Sequence, residues 1–127
     1  MREDFYKVIE ALEAFEVFDG DYAIASEYLE VSQATCGELI TRGLRLVIRT
    51  ALVFAGNYEG AADYLSLKKK SFLRLLDWAM VCPAISEAIR SEARRCLPLD
   101  PDQWEETKVA AQKALRKLQR ANWDGCF

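Results

Sequence analysis

The chain has 127 residues, 51% of them hydrophobic and 29% charged, and a formal net charge of −3. That is the length of one domain with enough apolar material for a core, which excludes wholesale disorder. No apolar run approaches a membrane span and no apolar stretch follows a basic start near Met1, so a cytoplasmic protein is expected.

Val, Ile and Thr never alternate with polar residues over a strand's length, so the expected fold class is all-α. From Asp4 to Phe18, the residues Phe5, Val8, Leu12, Phe15 and Phe18 form a helical stripe, with Glu10, Glu13 and Glu16 on the wet side. Gly20 stands where a left-handed residue ends that helix. Asp21 then caps a short helix through Leu29, Glu30-Val31 makes a turn, and Ser32 caps a third helix to about Thr41. A further helix is expected from Arg42 to Ala55, stopped by Gly56. Asn57 caps the next, over residues 58–65, and another follows over 68–81. Pro83 suits the first turn of a helix with Ile85, Ile89, Ala93 and Cys96 as its stripe. Asp100-Pro101-Asp102-Gln103 signals a last helix, with Trp104, Leu115 and Leu118 on one face and an end near Asn122.

This order contains a repeat with a 36-residue period. Val17, Phe18, Gly20, Tyr22, Ala25, Tyr28 and Leu29 recur as Val53, Phe54, Gly56, Tyr58, Ala61, Tyr64 and Leu65. Each copy reads as helix, short helix, turn and helix, the outline of a helix-turn-helix. The expected organisation is two tandem three-helix units, residues 1–41 and 42–81, followed by a C-terminal helical pair over 82–127 that offers a homodimer contact. The units differ in charge. Residues 1–41 hold two basic and ten acidic side chains, whereas 42–80 hold seven basic and three acidic. A polyanion is repelled by the first and drawn to the second.

The chemistry-bearing motifs of enzymes are missing. The chain has no histidine, no Gly-rich phosphate loop and no Gly-x-Ser-x-Gly elbow. Cys36, Cys82, Cys96 and Cys126 form no Cys-x-x-Cys pair, so they read as three reduced core thiols and one near the C-terminus rather than a zinc site. No catalytic residue, metal ligand or cofactor is expected.

In the second unit, Asn57, Ala61-Ala62, Leu65-Ser66-Leu67, Lys68-Lys69-Lys70-Ser71-Phe72 and Leu76 follow one another at the spacing of a helix-turn-helix hairpin. This run resembles the Fis-type helix-turn-helix, also found at the C-terminus of NtrC-like activators. The resemblance covers about 60 residues over both units, since Ala25, Leu29, Val31, Ser32, Thr35 and Leu39 fill the matching positions of the first. It implies a regulatory protein of bacterial or phage transcription that binds double-stranded DNA. Lys68, Lys69, Lys70, Ser71 and Arg74 would line the reading helix of the second unit, with Asn57 ahead of it; Ser32, Gln33 and Thr35 are their counterparts in the first. Lysines there neutralise phosphates, and Arg74 suits a guanine edge.

The pattern departs from the family at the turn, where Glu30 and Ser66 replace glycine, and at Gly37 and Leu73, where a polar or aromatic residue is usual. These departures and the acidic first unit motivate an alternative reading. In it the helix-turn-helix is a scaffold for an inhibitor or antirepressor that engages a basic protein partner through Glu10, Glu13, Glu27, Glu30 and an exposed Leu73.

Overall fold

The computed structural model describes residues 2–54 and 57–97, together with 112, 113 and 116. The chain is all-helical, with no strand among the described residues. Most of the expected last helix, including Trp104, Leu115 and Leu118, lies outside the described residues, as do most of the 82–127 dimer element, Gly56 and Cys126.

Helix α1 runs Arg2–Val17 and buries Val8, Ile9, Ala11, Leu12, Ala14 and Phe15. It stops because two successive residues take positive φ, Asp19 at 54° and Gly20 at 84°. The Gly20 amide closes the end on the Phe15 carbonyl at 2.8 Å. Helix α2, Tyr22–Leu29, starts where the Asp21 carboxylate accepts from the Ile24 amide at 3.1 Å. It ends at Glu30, left-handed with φ 57°, and the Val31 amide donates back to Ser26 O.

Helix α3 begins as expected, with Ser32 Oγ accepting from the Thr35 amide. It does not end at Thr41. It continues unbroken from Gln33 to Val53, so the boundary drawn at 41/42 falls inside one 21-residue helix. This one helix spans both the expected last helix of the first unit and the expected first helix of the second. No proline interrupts Thr41 to Leu44, and Gly43 alone only weakens a helix. Packing settles the matter: α3 touches the five other helices of the described residues and buries ten of its own residues.

Helix α4, Tyr58–Tyr64, is capped by Asn57, whose Oδ1 accepts from the Gly60 amide at 3.3 Å. Its fully buried Ala61 and Ala62 bring α5 close. Helix α5, Lys69–Met80, seats Phe72, Leu75, Leu76 and Ala79 in the core. Helix α6 covers Glu87–Cys96 and buries Ile89, Ala93 and Cys96, with Ile85 buried just ahead of it. Pro83 is not in its first turn. Ser86 supplies the cap, accepting from the Ala88 amide, and Pro83 stays exposed in the preceding turn.

The 36-residue register is visible in the geometry. Asp21 and Asn57 cap equivalent helices. Glu30 and Ser66 both adopt φ 57°. The bond from Val31 to Ser26 recurs from Leu67 to Ala62. The Phe18–Tyr28 ring pair, 5.5 Å apart, recurs as Phe54–Tyr64 at 5.8 Å. Cys36, Ile40 and Gly43 are buried, as are Phe72, Leu76 and Ala79.

Candidate nucleic-acid interface

The hairpin of α4 and α5 turns through Ser66, which takes the left-handed position usual for glycine. Lys68 follows in extended conformation as the residue before α5, with no side-chain cap bond. Lys68, Lys69 and Lys70 are exposed there, and no acidic residue stands in the first turn. This arrangement costs the helix. Cations at an amino end oppose the macrodipole, by roughly 0.3–1 kcal/mol each at an exposed site.

Acids from α4 share this corner. Glu59 and Asp63, one turn apart, line a cleft of about 580 Å³ with Ser66, Leu67, Lys68 and Lys69. Their four-residue spacing was readable in the sequence; that they face the lysines depends on the turn angle.

Further along α5, the structure reassigns two expected contact residues. Ser71 is half-buried and donates to Glu16 Oε1 at 3.1 Å. Arg74 pairs with Asp19 and lies 3.8 Å from Glu16 Oε1, with its guanidinium 4.9 Å above the Trp78 ring. Trp78 in turn meets Phe15 edge-on at 4.9 Å. The end of α1 therefore lies over the middle of α5. Glu16 and Asp19 were missed in the sequence because they stand more than 50 residues from Arg74, with no local signal joining them.

The remaining expected residues divide plainly. Asn57 and Ser32 are engaged as helix caps. Thr35 Oγ1 accepts from Ser32 Oγ at 3.0 Å, and Gln33 is exposed beside it. Glu30 and Glu38 are exposed near that end of the first unit. Of the alternative set, Glu10, Glu13, Glu27 and Glu30 are exposed. Leu73 is not an exposed anchor: it is half-buried and packs against the core.

Between α2 and α3, Tyr22, Gly37, Glu38, Thr41, Arg42 and Arg45 line a shallow cleft. Burial raises the Tyr22 hydroxyl's pKa, with smaller contributions from the nearby Cys82 and Cys36 thiols. Cys36, Cys82 and Cys96 are buried. Among the described residues no group of three His, Cys, Asp or Glu is placed to hold a metal ion, and no helix is long and apolar enough to cross a membrane.

Comparison with protein-family models, with curated proteins and with solved structures finds no match for this chain.

Proposed function

We propose that this chain is a DNA-binding regulatory protein, working in bacterial or phage transcription, that grips duplex phosphates through the α4–α5 hairpin. The observation that carries the reading is the exposed run Lys68-Lys69-Lys70 at the amino end of α5. A helix gains nothing from cations at that end, whereas a polyanion does. The Fis-like spacing around these residues supports the same assignment. In this reading the two units are tandem helix-turn-helix copies joined through α3. Only the second approaches DNA, because the first carries ten acidic side chains against two basic.

Arg74 and Ser71 are tied to Glu16 and Asp19, so affinity rests on the lysines rather than on base readout by Arg74. Asn57 acts through the hairpin backbone, as the cap of α4, whereas Ser32 and Thr35 hold the start of α3 in the first unit.

The test replaces Lys68, Lys69 and Lys70 together with Glu. Carboxylates suit the amino end of a helix, so helical content is expected to hold or rise. Affinity for duplex DNA is expected to vanish, and in single-lysine variants the log–log salt slope should shrink by about 0.9 per lost contact. Substituting Gln33 and Thr35 is expected to change little. Full DNA affinity in the lysine triple variant would defeat the assignment.

A further inference from the structure

The first unit carries a surface feature that the lysine hairpin does not use. Val17 is 70% exposed and Tyr28 is 66% exposed. With Ala14 and Phe18 they shape an apolar notch, and Glu10 and Glu13 complete its lining. The Tyr28 ring is held upright by its edge contact with Phe18, so the wall is preformed. The notch encloses about 270 Å³. That falls below the roughly 300–1,000 Å³ of small-molecule pockets and matches a protruding side chain instead.

The repeat supplies a natural comparison. Val53, Phe54 and Tyr64 reproduce the apolar part, with Val53 56% and Tyr64 64% exposed and the ring pair preserved. The acidic lining is not reproduced. Glu10 and Glu13 correspond, 36 residues on, to Leu46, which is buried, and Arg49. The same exposed apolar residues with unlike charge beside them mean that charge distinguishes the occupant of the first notch. Exposed Glu27 and Glu30, near Tyr28 in sequence, extend the negative field.

We infer that the notch of Glu10, Glu13, Val17, Phe18 and Tyr28 is a docking site for a basic amphipathic helix of a partner protein. An apolar side chain of that helix fills the notch, and lysines or arginines one turn to either side meet Glu10 and Glu13. A helix presents one such anchor with cations three or four residues away on the same face. The inference is independent of the DNA assignment, because it uses neither α4 nor α5.

The test uses the full chain and a synthetic leucine–lysine peptide about four helical turns long, with its leucines on one face. A second peptide of the same composition scatters the leucines around the helix. Calorimetry measures affinity, and isotope-labelled protein reports which amides shift. The one-faced peptide is expected to bind at least about tenfold tighter than its scattered isomer and to shift residues around Val17 and Tyr28. Tyr28→Ser is expected to weaken binding about tenfold, and Glu10→Lys with Glu13→Lys to abolish it, while Tyr64→Ser changes it by less than about twofold. Tyr28 and both glutamates are exposed, and helical content by circular dichroism confirms that each variant is folded. Equal binding of the two peptides, equal loss in Tyr64→Ser, or shifts centred elsewhere would overturn the inference. So would a concentration-dependent dimer that Tyr28→Ser dissolves, since the occupant would then be a second copy of the chain.

Discussion

Replacing Gly43 with alanine sets two magnitudes against each other. Gly43 is in the interior of α3, where Gly→Ala ordinarily stabilises a helix by about 1 kcal/mol. Here a methyl at position 43 would come within 2.6 Å of Leu12 Cγ and Cδ2 and 2.9 Å of Cδ1. Carbon atoms settle at about 3.5–4.0 Å, so the two helices must part by roughly an ångström, or Leu12 must leave its rotamer. Leu12 is fully buried in the core, and protein interiors are close-packed. Overpacking of this kind costs about 1–3 kcal/mol, and three simultaneous close contacts place it in the upper part of that range. The net expectation is destabilisation by about 1–2 kcal/mol, or roughly 4–7 °C in Tm for a domain of this size.

Thermal and urea unfolding followed by far-ultraviolet circular dichroism measures the change directly. A double-mutant cycle identifies its source. Leu12→Ala alone is expected to cost about 2–5 kcal/mol through the cavity it leaves. Adding Gly43→Ala to Leu12→Ala should then be neutral or stabilising, because the new methyl occupies vacated space; the coupling should fall in the range of about 0.5–3 kcal/mol. Stabilisation by Gly43→Ala in the otherwise natural chain would refute the reasoning. It would mean that α1 and α3 do not cross in contact at this point.

Two further outcomes follow from charge. Glu16→Gln with Asp19→Asn is expected to raise affinity for duplex DNA and steepen its salt dependence, because it releases Arg74 and removes two charges that repel phosphate; asparagine tolerates the positive φ at position 19, and unchanged affinity in a shift assay would separate this acidic end from the DNA face. The Glu87 pKa is lowered by the hydrogen bond from Ser91, then by Arg90 and Arg94. A depressed carboxyl stabilises the fold above its unfolded pKa, and that contribution is lost as pH falls through the folded value. Glu87→Gln should therefore weaken the protein at neutral pH and converge with the parent as pH falls through the folded value of Glu87 in denaturant titrations; a difference independent of pH would remove Glu87 from the account.

What the sequence by itself determined is the part of the structure made by neighbours along the chain. Asp21, Ser32 and Asn57 each cap a helix through an amide three residues on, and the left-handed stop at Gly20 depends on its own backbone freedom. The 36-residue register is legible for the same reason, since like residues at like spacing make like caps, turns and ring pairs. Tertiary structure decided the rest. Thr41 to Gly43 carries no stop signal strong enough to divide a helix, and burial against five neighbours carries α3 through it. Leu73 looked exposed by analogy with a family position, yet it packs against this chain's core. Arg74 reads as a free reader in the sequence and becomes half of an ion pair only when α1 ends over α5. The notch beside Tyr28 likewise needs α1 and α2 to meet. Contacts between distant segments depend on how helices cross, and a single chain's local pattern holds no record of those angles.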